Sequence, residues 1–247
     1  MKVCTLVPCY DHGEAIAGVL EALASSGLPC LVVDDGSGPD TRATLDALAA
    51  KHGFASLVRR THNGGKGAAL KTGYRAAAER GFSHAIQLDA DGQHDVGDVK
   101  RFEAAMQRDP EALVLGVPVF DESAPLARIL ARQLSRGLVW AACLSRAVPD
   151  PLCGFRGIPL APALEVVDAG PTGDRMEFEP ELAVRLFWRG TPVVPLDTRV
   201  VYPAEGRSHF SFRRDYPLLA ALYARLLGGM LLRLPGTLRA RAAGRRA

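Results

Sequence analysis

Between residues 3 and 116, short β-branched and aliphatic runs alternate with Ala- and Leu-rich segments of helical spacing, which leaves the chain very few folds. VCTLVP (3–8), PCLVVDD (29–35), FASLVRR (54–60), HAIQLDA (84–90) and ALVLG (112–116) read as strands. Helical spacing fills 14–26, about 40–52, 66–80 and 96–108. Aliphatic strands separated by helices of about ten or more residues form right-handed βαβ units. The expected fold is therefore α/β, a mainly parallel sheet covered by helices on both faces. From about residue 117, Pro118, Pro125, Pro149, Pro151, Pro159 and Pro162 break the pattern into helices and loops, read as an elaboration of the same domain.

In such sheets ligands collect beyond the carboxyl ends of the strands. The early strands end in Pro8-Cys9-Tyr10-Asp11, Asp34-Asp35-Gly36-Ser37, Thr61-His62-Asn63-Gly64-Gly65-Lys66-Gly67 and Asp89-Ala90-Asp91, so four polar loops are expected to converge on one rim. Asp89, Asp91 and Asp95 crowd within seven residues, and clustered carboxylates are costly to desolvate without a positive partner. A paired acid in a loop is more often a solvated turn or a cap. Here, however, a strand aims the acids at the ligand rim, and alternation puts Asp89 and Asp91 on one side if the chain stays extended. With the amide oxygen of Gln93 they form a hard oxygen set suited to Mg2+ or Mn2+. Asp95 is read as a helix cap.

HNGGKG lacks the spacing of a G-x-x-x-x-G-K-S/T phosphate loop, so a kinase or ATPase loses support. Two readings of it remain: free N–H groups and Lys66 facing a diphosphate, or a tight strand-to-helix turn with a solvated lysine. No G-x-G-x-x-G follows the first strand, which disfavours a dinucleotide-dependent oxidoreductase. In GDRMEFEPELAVRLFWRG, Glu177 and Glu179 share a face if extended, and one would serve as a base toward an acceptor hydroxyl. Alternatively, both begin a helix, where acids favour the N-terminal dipole.

The chain of 247 residues, 48% hydrophobic, is long enough for one compact domain. Its formal charge is +3, but the last 13 residues hold Arg239, Arg241, Arg245 and Arg246 and no acid. That asymmetry disfavours a nucleic-acid binder and permits contact with an anionic membrane. Five cysteines with no C-x-x-C pair read as reduced intracellular thiols. The apolar stretch after Lys2 reaches Asp11 after eight residues, too short for a signal-peptide core, so a cytoplasmic location is expected. PLLAALYARLLGGMLLRLP (217–235), interrupted by Arg225, Arg233 and Gly228-Gly229, is expected to fall short of a membrane span and to lie on a bilayer or on the core.

VPCYDHGEAI, VVDDGSGPDT, NGGKGAALKTGYRAA, IQLDADGQHD and DPLCGFRG, in this order, resemble the family 2 glycosyltransferases. The resemblance is to the branch that includes dolichyl-phosphate mannosyltransferase, over residues 3–157 with a weaker continuation to 212. It implies a GT-A (Rossmann-like) fold with 1–116 as the nucleotide-sugar-binding half, 117–212 as the acceptor-side half, and 213–247 as an amphipathic helix and basic tail. By resemblance, Pro8, Tyr10 and Asp35 lie near the base and ribose of a nucleotide-diphosphate sugar, and Asp89, Asp91 and Gln93 hold the metal. Asp91, Glu177 and Glu179 are the catalytic candidates, with Lys66 and Arg207 on the diphosphate and His209 beside them. Asp11-His12 stands where the family often has Asn-Glu, which leaves uracil or guanine open. Val117-Pro118-Val119 lacks the arginine that relatives commonly carry, so Arg128, Arg132 or Arg136 is expected to take over a phosphate clamp. The implied reaction is metal-dependent and inverting, toward a lipid or polyisoprenyl-phosphate acceptor at the inner leaflet. A hydroxyl of a pigment or aryl-polyene lipid is the alternative acceptor. A nucleotidyltransferase would carry a glycine-rich basic loop after the first strand, which VPCYDHGE lacks. A non-catalytic nucleotide-sugar binding module would keep Asp35 without an organised metal site.

Overall fold

The structure, a computed structural model, describes residues 1–120, 126–200 and 211–242. The first five strands are β1 (Val3–Cys9), β2 (Cys30–Asp34), β3 (Ala55–Arg59), β4 (His84–Gln87) and β5 (Leu113–Phe120). Between them run α1 (Gly13–Ala24), α2 (Pro39–Lys51), α3 (Lys66–Glu79), a short 3-10 turn (Val96–Asp98) and α4 (Val99–Arg108). The rest of the chain supplies α5 (Leu126–Cys143), β6 (Arg156–Pro159), α6 (Leu160–Asp168), α7 (Phe178–Trp188), β7 (Val193–Val200) and α8 (Phe212–Ala242). Each expected early element is present with ends shifted by a few residues. β4 stops at Gln87, short of Asp89, which it was expected to include, and β5 runs on to Phe120.

The strands form one seven-stranded sheet in the order β3-β2-β1-β4-β6-β5-β7. β6 alone runs against its neighbours β4 and β5. Its insertion lets the second half of the chain close the sheet, because β6 and β7 both pair with strands of the first half. β1 and β2 are buried at every position, as expected for strands covered on both faces. Alternation along each strand feeds two cores: Leu6, Leu31 and Val33 join Leu70, Tyr74 and Phe178 on one face, while Val7 and Val32 join Ile16, Leu20, Leu45 and Phe102 on the other. In α1 the buried Ile16, Val19, Leu20 and Leu23 repeat at helical spacing and form one stripe.

α8 begins earlier than the apolar run in the sequence, and this corrects the expectation about its length. Its residues Arg213–Leu234 are long and apolar enough, by length and composition, to cross a membrane, with mean hydropathy 1.4. Yet Leu219, Leu222, Tyr223 and Leu226 are buried in the core beside Val139 and Ala142 of α5. Leu231 and Leu232 of α8, and Leu130 and Leu134 of α5, point outward, with Leu232 85% exposed.

Candidate active site

At the carboxyl ends of β1, β2 and β4 opens a cavity of about 1390 Å³. Pro8, Tyr10, Asp35, Lys66, Asp89, Asp91, Gln93 and Glu179 all line it, so eight of the residues singled out from sequence come together. The cavity continues between α5 and α8, where Ile129, Arg132, Leu138, Tyr216, Leu219 and Tyr223 form its wall.

Its electrostatic centre is an ammonium between two acids. Lys66 Nζ lies 2.6 Å from Asp89 Oδ1 and 2.7 Å from Glu179 Oε2. Burial alone would depress the Lys66 pKa, but the coulombic pull of Asp89 and Glu179 outweighs it and holds the ammonium above its ordinary value. Burial would likewise raise Asp89; Lys66 and then His94 outweigh it and keep the carboxyl well below the usual range. A hydrogen-bonded chain extends behind the pair. Tyr74 donates to Gln87 Oε1 at 2.6 Å, and Gln87 Nε2 donates to Glu179 Oε1 at 2.6 Å and to Gly154 O at 3.1 Å. The fully buried Arg156 donates to the carbonyls of Glu179, Cys153 and Pro151. It thereby shapes the DPLCGFRG loop and fixes α7 against it. Gly154 in that loop is required by contact, since a Cβ there would overlap the Asp89 carboxylate.

The glycine turn resolves in favour of packing. Asp35 accepts from Arg60 Nε at 2.7 Å, Gly64 N at 3.1 Å and Gly65 N at 2.7 Å, and Asp174 O accepts from Ala68 N at 2.8 Å. The N–H groups of Gly64, Gly65 and Ala68 are therefore taken, and Lys66, expected on a diphosphate or in solvent, is buried against acids. Gly65 has φ +101°, and a Cβ there would lie 2.6 Å from Arg175 Cγ and 2.7 Å from Asp174 O. Gly65 and Gly67, on either side of Lys66, let the 172–176 loop close over the start of α3.

Glu177 and Glu179 are not extended: Glu177 has φ −73° and ψ −17° at the entry to α7, and Glu179 lies in its first turn. Glu177 is consequently corrected as a base candidate. Its Oε1 accepts from Asp174 N at 3.1 Å and Arg175 N at 3.3 Å, its Oε2 is buried without a hydrogen-bond partner, and it is absent from the cavity wall. Asp95 caps the short turn through Gly97 N at 2.9 Å, as its position in the sequence suggested. Of the arginines considered for a phosphate clamp, Arg132 lines the cavity with its Nε 3.2 Å from Asp150 Oδ2. Arg136 stacks on Trp140 away from it. Arg207 and His209 lie outside the described residues, as does the Arg128 side chain. Sequence reasoning missed Asn63, Arg175 and Arg213 in the wall.

Asp91 is the acid with least compensation. Its pKa is raised, by burial first and the charge of Asp89 second, and one backbone donor, Gln93 N at 3.0 Å, supports it. No cluster of three or more His, Cys, Asp or Glu in metal-ligand arrangement occurs among the described residues. The donor set still fits a hard divalent cation: two carboxylates and an amide on a cavity wall, one carboxylate short of positive charge, with room for ligand oxygens to complete the shell.

A mainly parallel seven-stranded sheet with helices on its faces and an acidic rim at its carboxyl edge is the GT-A glycosyltransferase fold. Glucosyl-3-phosphoglycerate synthase from Mycobacterium tuberculosis has the same fold (TM-score 0.64, 18% identity, 94% of this chain and 79% of that one). So does a mannosyltransferase from Pyrobaculum calidifontis in complex with GDP-Man and Mn2+ (TM-score 0.59, 18% identity, 97% and 75%). Residues 4–148 match the model of glycosyl transferase family 2, and the chain belongs to that family. It is 33% identical over 109 residues to the undecaprenyl-phosphate mannosyltransferase of Micrococcus luteus, covering 43% of this chain and 45% of that enzyme. It is 32% identical over 103 residues to the polyprenol monophosphomannose synthase of Mycolicibacterium smegmatis, 40% and 39% of the two chains. These matches span less than half the length of either relative.

Removing the ammonium leaves Asp89 and Glu179 facing each other in a buried site. Lys66→Met is expected to cost about 3 to 5 kcal/mol at pH 7. A carboxyl with a depressed folded pKa contributes stability that is present at neutral pH and lost as pH falls. The unpaired acids of the variant are instead relieved by protonation, so the gap should narrow from pH 7 toward pH 3. Urea unfolding in chelator across that range measures it; a gap that stays constant contradicts the pairing.

Proposed function

We propose that this protein transfers a sugar from a nucleoside-diphosphate sugar to a phosphate-bearing polyisoprenyl lipid, with Mg2+ or Mn2+ held by Asp89, Asp91 and Gln93. The observation that carries the reading is the two-part cavity. One part is an acidic rim at the strand ends, and it is continuous with an apolar groove between α5 and α8 whose mouth holds Arg132, Arg213 and Arg214. A nucleotide suits the first part, where Pro8, Tyr10 and Asn63 offer faces for a base and ribose. An amphipathic acceptor suits the second, with its phosphate at the arginines and its chain along Leu138, Leu219 and Tyr223. The relatives named for undecaprenyl-phosphate and polyprenol substrates support the same acceptor class.

A divalent cation at Asp91 would offset charge on the departing diphosphate. The chain's own groups do the rest. Lys66 keeps Asp89 ionised and holds it against Glu179, so both carboxylates stay fixed while the cavity fills. Arg132 and the arginines at the start of α8 orient the acceptor oxygen toward the anomeric carbon, and a single displacement inverts that centre. Glu179 is committed to Lys66 and Gln87, and Glu177 to the 174–175 backbone, so neither is free as a general base. An acceptor that is already a phosphate anion needs none. This disfavours a pigment or aryl-polyene hydroxyl as acceptor.

The exposed Leu130, Leu134, Leu231 and Leu232 on α5 and α8 lie on the two helices that flank the groove. We infer that they rest on the inner leaflet and place the groove's mouth where a lipid acceptor enters.

With a polyisoprenyl phosphate and Mn2+, sugar transfer from a UDP or GDP sugar should be measurable by product chromatography, and Asp91→Asn should lower it at least about 100-fold. Transfer that proceeds fully in chelator, or that prefers a lipid alcohol to the lipid phosphate, contradicts the reading. In sedimentation with vesicles of anionic phospholipid, Leu231→Ser/Leu232→Ser should reduce the bound fraction several-fold. An unchanged fraction removes the proposed contact.

A further inference from the structure

Charged side chains on the donor side of the cavity are mostly matched within the protein: Asp35 by Arg60, and Lys66 by Asp89 and Glu179. Arg175 is different. It lines the cavity with Asn63, Gly65 and Lys66, and its guanidinium makes no hydrogen bond or ion pair among the described residues. Its stem runs across Gly65, the residue before Lys66, so closely that any Cβ on Gly65 would collide with its Cγ.

The loop that carries it is fastened on every side. Asp174 O accepts from Ala68 N at 2.8 Å, and Gly173 N donates to Glu181 Oε2 at 2.8 Å. Glu177 Oε1 takes the N–H groups of Asp174 and Arg175. Lys71 Nζ bonds Asp174 Oδ1 at 2.6 Å and Gly173 O at 3.1 Å. A buried Glu177 oxygen left without a partner is part of the cost of this arrangement. What the fastening delivers is a guanidinium without a partner among the described residues, on a backbone held in place at the cavity wall.

We propose that Arg175 binds the diphosphate of the donor, on the phosphate that carries the sugar; this rests on the nucleoside-diphosphate sugar reading above. A guanidinium presents a planar fork of donors that matches two phosphate oxygens at once. Because its loop is held before the ligand arrives, little ordering entropy is lost on binding. Its position one residue from Lys66, whose ammonium marks the carboxylate end of the cavity, puts it at the sugar-bearing phosphate. The N–H groups of Gly64 and Gly65 are occupied by Asp35, which leaves a side chain as the donor on that side of the turn. The glycines of HNGGKG thus serve phosphate binding indirectly, by admitting the arginine that does it.

Calorimetric titration of the full chain in Mn2+ with UDP, GDP, UMP and GMP tests the assignment. The wild type should bind one diphosphate more tightly than its own monophosphate. Arg175→Gln, which keeps the stem over Gly65, and Arg175→Ala should each weaken the diphosphate about 10- to 100-fold. Both should leave the monophosphate within about two-fold, and Arg175→Lys should recover part of the loss. Equal weakening of monophosphate and diphosphate, or an unchanged diphosphate affinity, overturns the role of Arg175 and leaves the donor reading standing. A wild type that binds none of the four nucleotides overturns the donor reading and this assignment together.

Discussion

The ammonium of Lys66, held between Asp89 and Glu179, joins parts of the chain that are far apart in sequence: the start of α3, the loop after β4 and the first turn of α7. Two carboxylates this close could not both remain ionised in a buried site without it. The positive charge that the acid-rich IQLDADGQHD requires is therefore supplied in part by the protein itself. Asp89 is satisfied internally, while Asp91, beside it, keeps a raised pKa and faces the cavity. Both acids belong to the proposed cation site: Asp89 is already anchored by the ammonium, while Asp91 has no ion pair among the described residues.

Around this pair the molecule is organised by buried polar groups that hold backbone in place. Asp35 fixes the glycine turn, Arg156 fixes the loop before β6 through three carbonyls, and Glu177 and Glu181 fix the 172–176 loop. Each lies close to the cavity, and each binds a segment that ordinary strand or helix hydrogen bonding leaves unsupported. These bonds tie the loops of the rim to one another. The groove between α5 and α8, by contrast, is bounded by side-chain packing of Leu219, Leu222 and Tyr223 against α5.

The first half was legible in the sequence because local periodicity determines it. β1, α1, β2 and α3 each carry a pattern that burial confirms, and the rule that ligands sit at strand ends located Pro8, Tyr10, Asp35, Asp89 and Asp91 on the cavity wall. β6 was not legible: four residues, RGIP, become a central antiparallel strand only because β4 and β5 leave a gap for them. The role of a polar residue proved harder to read than its location. Asp35 and Glu177 looked alike as acids near a ligand, yet their oxygens are taken by Arg60 and by backbone N–H groups from segments remote in sequence or folded back on them. For Arg175 the only trace was a cation inside the acidic run GDRMEFEPE, with nothing local to mark it as unpaired. Which charges pair is a tertiary property, so it emerges only with the fold.

The most direct measure of this account is the coupling between Lys66 and Glu179 in a double-mutant cycle, with Lys66→Met, Glu179→Gln and the double variant unfolded in urea at neutral pH. The pairing described here predicts that the two substitutions are far from additive, with a coupling of about 2 kcal/mol or more. Additivity within about 0.3 kcal/mol would mean that the two residues act independently, and the bridge at the centre of the site would have to be abandoned.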